Sequence, residues 1–141
     1  MAAATGDICR VRDEIPESAP PEMTVQLAST TIYAGALAMQ VAGKARPYVS
    51  GTASSTLLGF AQTRYTNTAG TDKTYADDAP MVFQRGTFWL PGKAGDLPTE
   101  ADIDKPVYFD DSSGTVKHTA ATNDLSGTLR GIREGLYRVE I

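Results

Sequence analysis

With one cysteine, one histidine and one tryptophan in 141 residues, this chain has few of the side chains from which reaction centres are made. A lone Cys9 excludes an internal disulfide framework, and a reducing assembly compartment is the simplest reading. One cysteine and one histidine also fall short of the about four ligands that a closed zinc site needs. Basic residues are outnumbered 13 to 17 and none stands beside another, so the stripe that displaces counterions from phosphates is missing. Nucleic acid is therefore not an expected partner. The longest weakly polar run, Ile32 to Gly43, is shorter than the roughly 20 residues that cross a bilayer, and no membrane role is expected. The start, Met1-Ala2-Ala3-Ala4-Thr5-Gly6-Asp7, has neither the basic residues nor the apolar core of a secretory leader. No Asn-X-Ser/Thr acceptor occurs. A soluble intracellular product is expected.

What the chain does have is turn chemistry. Glycine, threonine, alanine, serine and aspartate are abundant, which suits many short strands better than helices rich in leucine, glutamate and lysine. The length fits one domain. Residues 1–22 stand apart: Pro16, Pro20 and Pro21 alternate with Arg10, Arg12, Asp13, Glu14, Glu17 and Glu22, and only Ile8, Val11 and Ile15 offer apolar anchors. Prolines remove backbone donors and favour extended chain. The expected division is an extended, flexible N-terminal arm over 1–22 and a β-rich module over 23–141. Such an arm is either a disordered terminus or a segment that orders on a partner. The Ile8/Val11/Ile15 spacing suits a short helix as well.

Strand patterns begin at Met23. Thr24 to Ala28 alternates, Leu37 to Val41 follows the Ala34-Gly35 break, and Gly43-Lys44 reads as a hairpin turn into Ala45 to Val49. Thr56 to Tyr65 reads as one longer strand with Gly59 as a bulge or close-packing point. Lys73 to Ala76 reads as an edge strand. In Met81 to Leu90, Met81 and Phe83 share one parity and Phe88 and Leu90 the other, so a bulge or hairpin at Arg85-Gly86 would turn all four inward. Thr99 can cap a single turn over Glu100 to Ile103, which Pro106 stops from continuing. At the end, Tyr137, Val139 and Ile141 form a core face and Arg138 and Glu140 the other, so the last residues are expected to be stitched into a sheet. The fold class expected is mainly β: a small β-barrel or compact β-sandwich of about ten short strands with one short helical turn.

No candidate for chemistry outweighs its ordinary reading. His118, the one possible general base, sits in Thr115 to Thr119 as an exposed strand residue, and a small hydrolase would have to pair it with Asp110 or Asp111. Asp77-Asp78 and Asp110-Asp111 lie beside proline, serine and glycine, where aspartate caps turns, and no calcium-loop spacing accompanies them. Gly92-Lys93-Ala94-Gly95 lacks the spacing of a phosphate loop. Tyr65, Tyr75, Trp89 and Tyr108 could line a sugar platform, although Trp89 suits a core or a subunit interface better. No enzyme and no cofactor are expected.

The ordered pieces Gly35-Ala36-Leu37-Ala38, Leu58-Gly59-Phe60-Ala61 and Phe83-Gln84-Arg85-Gly86-Thr87-Phe88 continue through the Thr99–Asp104 turn before Pro106-Val107-Tyr108-Phe109. Gly127-Thr128-Leu129 and Tyr137-Arg138-Val139-Glu140-Ile141 complete them. From about Met23 to the end this order resembles the phage capsid cement proteins, also called head decoration or stabilisation proteins. The resemblance implies a β-rich homotrimer on the outer surface of an expanded head. There it would bridge major capsid protein subunits, resist the pressure of packaged DNA and carry neither catalysis nor cofactor. It implies a virion location with assembly in the host cytoplasm, and an N-terminal segment that orders on the capsid. Ile8, Val11 and Ile15 are then the expected anchors of a capsid-contact arm, with Arg10 and Arg12 meeting acidic capsid groups. Two other readings of the residues stand beside it: a carbohydrate-binding β-module, and a phage tail or baseplate subunit.

Overall fold

The computed structural model describes residues 4, 6–7, 22–23, 26–28, 30–67, 71–74 and 81–141, with backbone alone at 22–23, 26–27 and 73–74. Among them the chain is mainly β, as expected. In chain order the strands are β1 (Glu22–Met23), β2 (Gln26–Leu27), β3 (Thr31–Ile32), β4 (Leu37–Val41), β5 (Lys44–Pro47), β6 (Ser55–Ala61) and β7 (Tyr65–Thr66). They continue as β8 (Lys73–Thr74), β9 (Met81–Gln84), β10 (Thr87–Pro91), β11 (Pro106–Phe109), β12 (Val116–Lys117), β13 (Ser126–Arg133) and β14 (Leu136–Glu140). The single helical element is a 3-10 turn at Glu100–Asp102.

Three sheets form. A seven-stranded sheet runs β1-β9-β6-β4-β5-β2-β8, a five-stranded sheet β10-β14-β13-β11-β12, and β3 pairs with β7 alone. In the five-stranded sheet the outer strands curl toward each other: Gly92 bridges Val116 in parallel, and the Lys93 amide donates to the Val116 carbonyl at 2.8 Å. That curl makes this half of the molecule barrel-like, because nearly closing a sheet removes exposed edges.

Between the two large sheets lies the main core. Leu37, Met39 and Phe60 from one side meet Phe88, Leu90, Val107, Phe109, Leu129, Tyr137 and Val139 from the other. The Phe60 and Phe88 rings cross edge to face at 4.6 Å, a favoured aromatic geometry. A second cluster, Ile32, Ala38, Ala45, Leu58, Ala61, Met81 and Phe83, fills the opposite face of the seven-stranded sheet. Tyr65 of β7 closes over it. The central strands β4 and β6 are thus buried on both faces.

A bulge makes this two-sided burial possible. Strict alternation would put Leu58 and Phe60 on one face. Instead the β4–β6 register shifts between Ala38 and Met39, so Leu57 opposes Met39 and Gly59 opposes Ala38. The extra residue turns Leu58 to the second cluster, while Leu57 and Phe60 both face the first. A second bulge between Leu129 and Gly131 pushes out Arg130, whose guanidinium reaches Glu140 and Asp104 at 2.8 and 2.7 Å.

Several sequence expectations need correction. The first hairpin turns on Ala42-Gly43 (φ 51° and 78°), a pair with the positive φ values of a two-residue hairpin loop, so Lys44 is already in β5 and pairs with Val41. The strand ends at Pro47, short of Val49, which makes only an isolated bridge to Asp111. The run from Thr56 stops at Ala61, and Tyr65 belongs to a separate strand paired with β3. Met81, Phe83, Phe88 and Leu90 are all buried, but Arg85-Gly86 is neither bulge nor hairpin. There the chain leaves one sheet for the other, with Gly86 at φ 134°. Lys73–Thr74 is an edge strand as expected, while residues 75–76 of that expectation and Thr24-Val25 lie outside the described residues. Ile141 exchanges hydrogen bonds with Gly86 (2.8 and 3.2 Å), so the last residue is indeed held.

Candidate functional site

Ile8, Arg10, Val11, Arg12 and Ile15, the expected contact residues, lie outside the described residues. The residues flanking them are tied down. The Ala4 amide donates to the Ser112 hydroxyl at 2.6 Å. Asp7 accepts from the Arg64 guanidinium at 2.6 and 3.1 Å and from the Ala34 amide at 3.0 Å. The Arg64 hydrogen bond, then that of Ala34, holds the Asp7 carboxyl below its usual range. Arg64 in turn lies 5.4 Å over the Tyr33 ring. This pair is open to solvent and screened, so it directs the chain more than it stabilises the module. On the far side, Glu22 and Met23 pair with Val82 and Met81 of β9. Ala4 and Asp7 thus rest on the module. Nothing in the sequence marked Ser112, Arg64 or Ala34 as partners of the N-terminal residues.

The residues once considered for chemistry are occupied by structure. His118 Nδ1 lies 2.9 Å from Asp102, not beside Asp110 or Asp111, and over half of its side chain is exposed. The same Asp102 oxygen accepts the Thr99 amide at 2.8 Å, closing the 3-10 turn from its third residue back to the cap. The Thr99 amide lowers the Asp102 pKa, burial opposes it, and His118 lowers it further. A depressed carboxylate stabilises the fold above its unfolded pKa and loses that contribution as pH falls through its folded value. Replacing Asp102 by Asn should lower the urea midpoint at neutral pH. It should also flatten the loss of stability below about pH 4, read from midpoints taken down to about pH 2.

Asp111 does cap a turn, accepting the Ser113 amide at 2.9 Å, and burial pushes its carboxyl up. Asp110 instead faces two lysines, Lys93 at 3.1 Å and Lys117 at 3.8 Å. Lys117 reaches Asp124 at 2.8 Å with both side chains almost fully buried. This ion chain was not foreseen. Asp77-Asp78 lies outside the described residues. Among the described residues no group of histidine, cysteine, aspartate and glutamate could hold a metal ion.

Of the four aromatic residues, Trp89 and Tyr108 share the five-stranded sheet, while Tyr65 stands apart from them. The Tyr65 hydroxyl donates to the Val82 carbonyl at 3.2 Å and accepts its amide at 2.7 Å. Trp89 sits on a different sheet from Tyr65, and Tyr75 lies outside the described residues. Trp89 is not core. Its neighbours Phe88 and Leu90 are wholly buried, so alternation turns Trp89 to the outer face of the five-stranded sheet, where Arg133 lies 5.7 Å over its ring. Leu136 and Glu134 complete a groove of about 190 Å³ with them.

Compared with known families, residues 2–134 match the family of structural cement proteins typified by E217 gp24 and Pam3 gp6. No curated protein and no solved structure matches the chain.

Proposed function

The chain belongs to the phage structural cement protein family, and from that premise we propose that it decorates the outside of an expanded phage head as a homotrimer. Membership implies association with the phage capsid, and so a place in the virion. In the finer reading, each copy bridges neighbouring major capsid protein subunits and stiffens the shell against packaged DNA. It carries out no reaction, and it joins heads assembled in the host cytoplasm. The family match across 2–134 carries this reading. A sheet whose central strands are buried between two cores supports it, since a rigid module transmits load between the sites it joins. Repetition over a lattice would turn modest contacts into strong total stabilisation.

The reading includes the division into 1–22 and 23–141. It assigns capsid contact to Ile8, Val11 and Ile15, with Arg10 and Arg12 pairing acidic shell groups. Purified protein should co-sediment with expanded heads that lack it, raise their resistance to osmotic rupture, and scatter light with the mass of three chains. Replacing Ile8, Val11 and Ile15 together by Asp should weaken head binding by about a hundredfold, the effect of losing two or three buried anchors. The urea midpoint should stay put. Full occupancy by that variant would remove the arm from the interface, and failure of the unaltered protein to bind any head would remove the capsid reading itself.

A further inference from the structure

Trp89, Arg133 and Leu136 are brought together by register alone. Trp89 opposes Arg138 across β10 and β14, while Leu136 stands opposite both Pro91 and Arg133. The result is an outward groove with an apolar wall and floor: a partly buried indole and a leucine that is 43% exposed. Over the ring lies a guanidinium that has no carboxylate partner among the described residues. Arg130, on the same hairpin, takes two. Tryptophan and arginine set in an apolar hollow are the residues that dominate binding energy at protein interfaces.

We propose that this groove is a second capsid contact, one that seats a segment of the shell protein presenting an apolar side chain beside a carboxylate. The inference rests on the cement reading and adds a face of the module to the arm. Charge complementarity selects the chemistry: the apolar side chain would fill the hollow between Trp89 and Leu136, and the carboxylate would meet Arg133, which pairs with no carboxylate among the described residues. Size argues against a second copy of this chain as the occupant. Stable homodimer contacts bury roughly 2,000 Å² or more, whereas this is a narrow hollow whose rim carries Arg133 and Glu134.

The test is binding of the full-length protein to purified expanded heads, with Arg133→Glu, Arg133→Lys and Trp89→Ala beside the unaltered chain and urea midpoints for each. The expected result is a loss of roughly tenfold or more for Arg133→Glu and Trp89→Ala, and a smaller loss for Arg133→Lys, which keeps the charge without the planar stack. Added salt should weaken the unaltered protein more than Arg133→Glu. Arg133 is exposed at a hairpin end, so Arg133→Glu decides the matter even if Trp89→Ala unfolds. Unchanged head binding by Arg133→Glu overturns the proposal while leaving the capsid reading intact. A change in oligomer mass by light scattering with head binding preserved overturns it too, and assigns the groove to self-contact. If the unaltered protein binds no head, the capsid reading falls and this inference falls with it.

Discussion

Replacing Gly59 by Ala should cost about 4 kcal/mol, a large share of the roughly 5–15 kcal/mol that holds a domain of this kind together. Two effects add. Gly59 has φ +134°, far from the left-handed well near +57° that other residues occasionally visit, and strain of this type costs about 1–3 kcal/mol. A Cβ there would also stand 2.5 Å from the Gln84 carbonyl oxygen and 3.1 Å from its carbon. Those atoms are backbone of β9, the neighbour of β6, and cannot rotate away. Relief requires moving one strand against the other, where Phe60 pairs with Gln84 and Ala61 with Phe83. Overpacking of that kind adds about 1–3 kcal/mol.

Gly43 supplies the control. It too has positive φ, +78°, but a Cβ there meets nothing within 4 Å. Gly43→Ala should therefore cost only about 1 kcal/mol. Urea midpoints of the two variants separate backbone strain from the collision with Gln84. Equal losses would mean that the bulge yields to a methyl group, and that the Leu58 inversion does not depend on glycine.

The same bulge marks where sequence reasoning reached and where it stopped. Leu37–Val41 and Leu136–Glu140 were legible because alternation and turn residues are local. Gly59 could be recognised as a special point, but not as the device that sends Leu58 to one core and Phe60 to another, since that needs the β4 register. Arg85-Gly86 looked like a bulge or a hairpin because parity changes there. A move between sheets produces the same parity change. Trp89 suited a core or a subunit interface because it stands in an apolar run, but Phe88 and Leu90 already fill the inner face, which excludes the core. Its stacking on Arg133 joins residues far apart in the chain and left no local pattern. The β-rich cement-like frame was thus readable, while the pairings that shape its surface were set by register.

Lys117→Met should destabilise the protein by about 3 kcal/mol, the low end of what breaking a buried ion pair costs. Lys117 bonds to Asp124, whose side chain is fully buried, and lies 3.8 Å from Asp110. Asp110 keeps Lys93 when Lys117 is gone. Asp124 keeps the amides of Gly51 and Ala121, at 3.1 and 2.9 Å, but no cation among the described residues, so a carboxylate stays buried without a counter-charge. The penalty belongs to the orphaned charge, not to the lost attraction. Adding Asp124→Asn to Lys117→Met should then recover part of the loss, although Asp124→Asn alone is destabilising. Additive costs in this double-mutant cycle would exclude the charge explanation. The pH profile gives an independent reading. Burial lowers the Lys117 pKa, but the hydrogen bond and charge of Asp124, with Asp110 and Asp96, outweigh it and raise the value overall. A base whose pKa is raised on folding stabilises below its unfolded value of about 10.4 and loses that contribution as pH climbs through the folded value. The unaltered protein should therefore lose urea resistance more steeply than Lys117→Met above about pH 10. Parallel profiles would place the stabilisation in packing of the lysine stem, because only the charged pair responds to proton removal.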